Sequence, residues 1–278
     1  MGKNIFFLDI DGTLLDESYL CNYPKLMFLI KDMQNKGMVF SLNSNRAIED
    51  LLPVASQFGI TGPLVCENGL FAYLPSEKTN IFFVDKNHIN QLKKIKRLFR
   101  DWLDDFAVEN NISLSYKRID TVKLATKESP SNYPNQSILV FDNKFRKYTI
   151  SAHIKKCIDG KLVKDFSILG KINDFIKEKL IKNNYDNYIN VTFSEDFGNL
   201  LIFSKMVNKK TGVVFLQKNY FKDYKVVGIG NELSDFKMVE NVGEFWTVNN
   251  AKRNIKALAK KISTSNFSNG VYELIVAN

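Results

Sequence analysis

Short apolar runs that do not alternate recur in this chain: NIFFL (4–8), MVFSL (38–42), PLVCENG (63–69) and KVVGIG (225–230). A strand that is apolar at consecutive positions is buried on both faces, the situation of a parallel sheet covered by helices on both sides. Helical spacing fills the intervals. Apolar residues at 26, 27, 29, 30 and 33 form one stripe, ended by Gly37, and Ile48, Leu51, Leu52 and Ala55 form another, ended near Gly59. Towards the C-terminus, KKTGVVFLQKNY (209–220) reads as a helix, a further helix covers about 235 to 240, and EFWTVNN (244–250) reads as a strand. AKRNIKALAKKI (251–262) reads as a closing lysine-decorated helix. The expectation is an α/β fold with a Rossmann-like, doubly wound parallel-sheet core.

The middle of the chain has a different grammar. Helical stretches near 87–106 and 170–182 are mixed with β-like runs: KRIDTVKLAT, SILVFD, KYTISAHI and YINVTF. This predicts an α+β domain over residues 79–203, inserted into a core made of 1–78 and 204–278. Both ends of an insertion must lie close together at the surface, and loops at the carboxyl edge of a sheet meet that condition.

Ligands of open parallel sheets sit at the carboxyl ends of the strands. Four polar clusters fall at such places: DIDGT (9–13), NSNR (43–46), the lysines at 209 and 210, and GNELSD (230–235). Asp9 and Asp11 stand two residues apart at a strand end, so period-two alternation points them to the same side. Gly12 permits a sharp turn with exposed N–H groups beside them. Two carboxylates so placed suit a hard divalent cation with oxygen ligands, most naturally Mg2+. One could attack phosphorus as an anionic nucleophile and the other could protonate the leaving oxygen.

Composition removes several other classes. The net charge is +9, from 39 Lys and Arg against 30 Asp and Glu. It is scattered rather than blocked, and no nucleic-acid motif accompanies it. The three cysteines, Cys21, Cys66 and Cys157, are far apart with no CxxC pair, which reads as free thiols in a reducing compartment. Only two histidines are present, too few for a His-based zinc site. The start MGKNIFFLDIDG has neither a signal peptide nor a myristoylation pattern, and no 18-residue apolar stretch offers a membrane span. The expectation is a cytoplasmic protein, monomer or homodimer, with no nucleic-acid or membrane partner. A dinucleotide site is excluded because GIGNELSD lacks the third glycine.

DIDGTLLD (9–16) resembles the first motif, DxDGTL, of the haloacid dehalogenase superfamily, whose phosphatases use an aspartate nucleophile. Three further motifs follow in order, so the resemblance covers the whole chain. The insertion after PLVCENG and the VNKKTGV segment are similar to the type-two capped branch, which includes Cof-type sugar phosphatases and the sucrose-phosphate and mannosyl-3-phosphoglycerate phosphatases. The resemblance implies that Asp9 is nucleophile and metal ligand. Asp11 becomes the general acid/base, with its carbonyl also reaching Mg2+, and the backbone at Ile10 and Asp11 holds phosphoryl oxygens. Ser44 falls at the phosphate-binding Thr/Ser position of the second motif, followed by Asn45 where the family has Gly. Lys209 matches the charge-balancing lysine, with Lys210 as its rival.

The fourth motif departs most. The family's GDxxND reads Gly230-Asn231-Glu232-Leu233-Ser234-Asp235. Asn231 stands where an aspartate binds metal, and Ser234 where an asparagine touches phosphate. An amide keeps an oxygen ligand and loses a charge, so Mg2+ is expected to bind more weakly unless Asp235, as a further metal ligand, or Glu232 offsets the loss. The expected function is Mg2+-dependent hydrolysis of a small phosphorylated metabolite, a sugar phosphate first. The alternative is a weakly active or inactive phosphometabolite-binding protein of the same fold.

Overall fold

The computed structural model describes residues 3–21, 23–120, 133–194 and 198–277. They form two compact units, one made of residues 1–83 and 207–278, the other of 84–206. The first unit begins with β1 (Asn4–Leu8), α1 (Lys25–Asn35), β2 (Val39–Asn43), α2 (Ile48–Phe58) and β3 (Leu64–Cys66). Every residue of β1 is buried, as its unbroken apolar run requires. Gly59 ends α2 in the left-handed conformation at φ +65°, the glycine stop that the sequence advertises. A hairpin follows, β4 (Phe71–Leu74) and β5 (Thr79–Phe82), paired antiparallel.

The second unit contains α3 (Lys86–Glu109), β6 (Leu114–Ile119), β7 (Ile138–Asn143), β8 (Ile150–Ile158), β9 (Lys161–Val163), α4 (Phe166–Lys182), β10 (Ile189–Ser194) and β11 (Asn199–Ser204). Its strands run in the order β10-β11-β8-β7-β6, with β9 beside β8. Asp85 and Asp165 cap the two helices, accepting from the His88 N–H and the Ile168 N–H. The helices meet through Phe106 and Phe175, with ring centroids 5.3 Å apart. Strand β11, central to the pairing with β8 and β10, is an element the sequence pattern did not disclose. Of the KRIDTVKLAT run, β6 takes only the beginning, and residues 121–126 lie outside the described residues.

The chain returns to the first unit with α5 (Lys209–Tyr220), β12 (Lys225–Gly230), α6 (Leu233–Val239), β13 (Glu244–Thr247), α7 (Arg253–Lys256), β14 (Lys261–Ile262) and α8 (Phe267–Val276). The sheet order is β14-β13-β12-β1-β2-β3-β4-β5. Six strands are parallel, and β1 lies between β12 and β2, so the two ends of the sequence meet at its centre. One addition and one correction follow. The sheet is mixed, because the β4–β5 hairpin adds antiparallel strands at one edge, a common finish to an otherwise parallel sheet. The closing helix expected over 251–262 is a single helical turn followed by an edge strand. Lys260 N–H donates to Phe245 O and Ser263 N–H to Thr247 O, and the Lys261 ammonium lies 4.3 Å from the Trp246 ring centroid. Joining the ladder outweighed local helical spacing. The last helix is instead α8, which buries Val271, Leu274 and Ile275 and packs Tyr272 against Tyr23, just ahead of α1.

The aromatic centre of this core is Phe6, stacked on Phe40 at 4.8 Å and edge-on to Trp246 at 5.8 Å. Each such side chain contributes about 1.5–3 kcal/mol by leaving water, which holds β1 against β2 and ties β13 to β1 across the intervening β12. That fixes the edge on which their polar termini open.

Candidate active site

Asp9, Ser44 and Asn231 each follow directly on a strand, β1, β2 and β12, and those strands are parallel neighbours. Their carboxyl ends therefore open together. The Asp9 N–H donates to Ile229 O at 2.9 Å, extending the ladder one residue and holding the main chain at the point where the carboxylate emerges. Asp9 is 5% exposed, Lys209 6% and Asp235 1%. The Lys209 ammonium bridges the two carboxylates, donating to Asp9 Oδ1 and to Asp235 Oδ1, each at 2.7 Å. Asp235 Oδ2 accepts from the backbone N–H groups of Asn231 and Glu232, both at 3.0 Å. It is thus the anchor for Lys209 and the brace for the start of α6.

Lys209 arrives there because α5 begins at it. Asn208 caps the helix, accepting from the Lys210 and Thr211 N–H groups, while the Thr211 hydroxyl accepts from the Asn208 N–H. The Asn43 amide, wholly buried at the end of β2, donates to Lys209 O at 2.9 Å and ties this helix start to the sheet edge. Of the two rival lysines, Lys209 is the one placed between carboxylates, and Lys210 is half-buried on α5.

Asp11 is held differently. Arg46 grips it bidentately, Nε to Oδ2 at 3.0 Å and Nη2 to Oδ1 at 2.5 Å. The guanidinium also lies 5.4 Å from the Tyr19 ring centroid. Burial works against the Arg46 charge, but the bonds to Asp11 outweigh it and raise its pKa. Ser44 is buried, and its hydroxyl accepts from the Arg46 N–H at 3.3 Å. Asn45 is exposed beside it, and Ser234 is exposed on the first turn of α6. Ile10 is buried, and its carbonyl accepts from the Thr13, Leu14 and Leu15 N–H groups. The N–H groups of Ile10 and Asp11 are not spent in that turn.

Gly12 makes the turn at φ +78°, and a Cβ there would stand 2.5 Å from the Asn231 amide nitrogen. The other end of that amide, Oδ1, accepts from the Thr13 hydroxyl at 2.9 Å. The same hydroxyl is 3.3 Å from Asp9 Oδ2. A hydroxyl has one proton, and the shorter bond goes to Asn231, so Asp9 Oδ2 keeps unsatisfied acceptor capacity. Thr13, Arg46 and Asn43 carry structure here and were not singled out from the sequence. Arg46 stood in the quoted NSNR cluster, but nothing local revealed that its partner is Asp11.

Electrostatics set the character of the site. Burial pushes the Asp9 carboxyl up to about 7, with Asp235 and Asp11 adding to the rise and Lys209 opposing it. Burial alone would discharge Lys209, but Asp235 and Asp9 hold its pKa well above the ordinary ammonium value. One ammonium between two buried carboxylates leaves the site short of positive charge. The donor set is all oxygen: Asp9 Oδ2, the Asp11 carbonyl and the Asn231 amide. That chemistry and that charge deficit suit Mg2+, with Asp9 and the Asp11 carbonyl as the residues to hold it. Both oxygens of Asp235 are already engaged, and among the described residues no three His, Cys, Asp or Glu side chains are grouped as a cage.

A model of the haloacid dehalogenase-like hydrolase family matches residues 6–275. A phosphoglycolate phosphatase of Sulfolobus acidocaldarius is 24% identical over 275 residues, 98% of this chain and 94% of that protein. One from Thermoplasma volcanium is 29% identical over 97 residues, which is 32% of this chain and 43% of that protein. A haloacid dehalogenase-like hydrolase from Bacteroides thetaiotaomicron, 18% identical with 99% of each chain covered, shares the fold at a TM-score of 0.69. Among the described residues no helix is long and apolar enough to cross a membrane. The chain belongs to the haloacid dehalogenase-like hydrolase family.

Proposed function

We propose that this hydrolase is a Mg2+-dependent phosphoric monoester hydrolase that works through an aspartyl phosphate on Asp9. The observation that supports this most is the Lys209 ammonium, 2.7 Å from both Asp9 and Asp235. A purely structural ion cluster gains nothing from a carboxylate pushed to about 7 at a strand edge. A nucleophile that must meet an anionic phosphoryl group needs the adjacent cation.

Asp9 attacks phosphorus, and the bond from phosphorus to the leaving oxygen breaks. The Asp11 carboxyl gives its proton to the departing alkoxide. Water then attacks the aspartyl phosphate while Asp11 takes its proton, which releases inorganic phosphate and restores the Asp9 carboxylate. Lys209 stays fixed on Asp9 Oδ1, and its charge offsets the negative charge that builds on phosphorus. Arg46 sets the direction of Asp11 and must loosen its two-bond grip when that carboxyl carries a proton. The free N–H groups of Ile10 and Asp11, with the Ser44 hydroxyl, receive phosphoryl oxygens. When bound, Mg2+ would screen the repulsion between Asp9 and an anionic substrate.

The substrate class is a small phosphorylated metabolite. Sugar phosphates come first, with phosphoglycolate beside them because the two curated relatives bear that name. By resemblance to the type-two capped branch, substrate choice is assigned to the insertion expected over residues 79–203. The test is release of inorganic phosphate from p-nitrophenyl phosphate, phosphoglycolate and a panel of sugar phosphates, with Mg2+ and with EDTA. Turnover that needs Mg2+ supports the reading. Tight sugar-phosphate binding with no turnover of any ester would replace it with the binding-protein alternative.

A further inference from the structure

Glu67, Asn68 and Gly69 leave β3 with φ of +46°, +62° and +79°. Left-handed backbone is ordinary for glycine and tolerated by asparagine, but glutamate adopts it only where its surroundings impose it. Two sets of contacts impose it here. On one side the Glu67 N–H donates to Arg46 O at 2.9 Å and the Asn68 N–H to Ser44 O at 3.3 Å. The loop that carries Ser44 and Arg46 is therefore pinned by main-chain bonds from this turn. On the other side Gly69 lies flat against the peptide joining Asn208 to Lys209. A Cβ on Gly69 would stand 1.9 Å from Asn208 O and 3.0 Å from Lys209 N.

We propose that the Glu67-Asn68-Gly69 turn is a positioning element for catalysis, joining the loop that aims Arg46 at Asp11 to the helix start that aims Lys209 at Asp9. The inference rests on the phosphatase reading. One three-residue turn touches the main chain behind both cations, so any shift in it moves the two cations relative to the two aspartates. Such a shift slows the chemical step and leaves recognition of the leaving group largely alone.

Gly69→Ala and Gly243→Ala make a matched pair. A Cβ at Gly243 would also meet backbone, 2.4 Å from Val226 O, but at the opposite, amino end of β12. Gly69→Ala is expected to lower kcat on p-nitrophenyl phosphate at least thirtyfold with KM changed less than threefold, while Gly243→Ala lowers the melting temperature and keeps kcat. Position 68 supplies a second arm should Gly69→Ala not fold. Asn68→Val, a β-branched residue ill suited to positive φ, lowers kcat at least tenfold, and Asn68→Gly, which frees the backbone, recovers it. Equal kcat losses in the two alanine variants would reduce the turn to a structural part, as would a Gly69→Ala enzyme within twofold of wild type. An active wild type with these results overturns this inference alone. A wild type that turns over no ester overturns the phosphatase reading and takes the inference with it.

Discussion

Neutralising Asp9 is expected to stabilise the protein while destroying its activity. In the folded chain the Asp9 carboxyl titrates at about 7, against an ordinary value of 3.8. At one pH unit to ~1.4 kcal/mol, this gap amounts to about 4 kcal/mol. Below pH 4 both the folded and the unfolded chain hold the proton, and the contribution vanishes. Between pH 4 and 7 the unfolded chain has released it and the folded chain has not, so stability falls as pH rises. Above pH 7 the loss is complete.

Asn fills the same volume, still accepts from Lys209, and cannot ionise. In EDTA, urea unfolding of Asp9→Asn and wild type is expected to give similar stabilities near pH 4. At pH 8 the variant is expected to be more stable by up to about 4 kcal/mol. Mg2+ at pH 8 should then raise the stability of wild type and not of the variant. Turnover by Asp9→Asn should fall by more than about a thousandfold, as for loss of a nucleophile elsewhere. A difference between the two proteins that does not change from pH 4 to pH 8 would show that Asp9 is not short of positive charge. The account of the site would then be wrong at its root.

Three other perturbations separate the remaining roles. Lys209→Met leaves Asp9 facing Asp235 without its cation and is expected to cost about 3–5 kcal/mol at pH 8. The loss should be smaller at pH 5, where Asp9 takes up a proton, and urea unfolding at the two pH values measures it. Arg46→Lys replaces a two-bond grip on Asp11 with a point charge. Turnover of alkyl phosphates should fall roughly tenfold, less than the roughly 10²–10⁴ expected if the general acid were removed outright, because Asp11 is misaimed and not lost. That of p-nitrophenyl phosphate should fall less, because its leaving group needs little protonation. Asn231→Asp adds a carboxylate to the oxygen set and should lower the Mg2+ needed for half-maximal activity roughly tenfold, read by titrating activity against metal.

The sheet edge was legible because the signal for it is local. An unbroken apolar run such as NIFFL announces a strand covered on both faces, and the polar residues that follow must sit at its end. What stayed hidden depends on choices between distant partners. Lys209 and Asp235 were visible as members of clusters, but nothing near either says that one ammonium would bridge Asp9 and Asp235 and leave Asp11 to Arg46. The helix expected over 251–262 was lost for a related reason. Its lysine-rich spacing is helical, but Lys261 and Ile262 pair with Trp246 and Thr247 at an open sheet edge, and a ladder there outweighs propensity.

Asn231 is where sequence and structure together say more than either does alone. The sequence shows an amide where a carboxylate is expected, and by itself that reads as a weakened metal site. In the folded chain the amide oxygen accepts from Thr13, and the amide nitrogen lies against Gly12 in the turn that presents Asp11. A carboxylate in that position would bring a third negative charge beside Asp9 and Asp235, with Lys209 already shared between them. Asp9 would then be driven above about 7, further from the ionised form that must both receive the cation and attack phosphorus. The amide avoids that load, still offers an oxygen, and holds the turn through Thr13. Weaker cation binding is the expected consequence of an Asp9 that ionises near neutral pH without it.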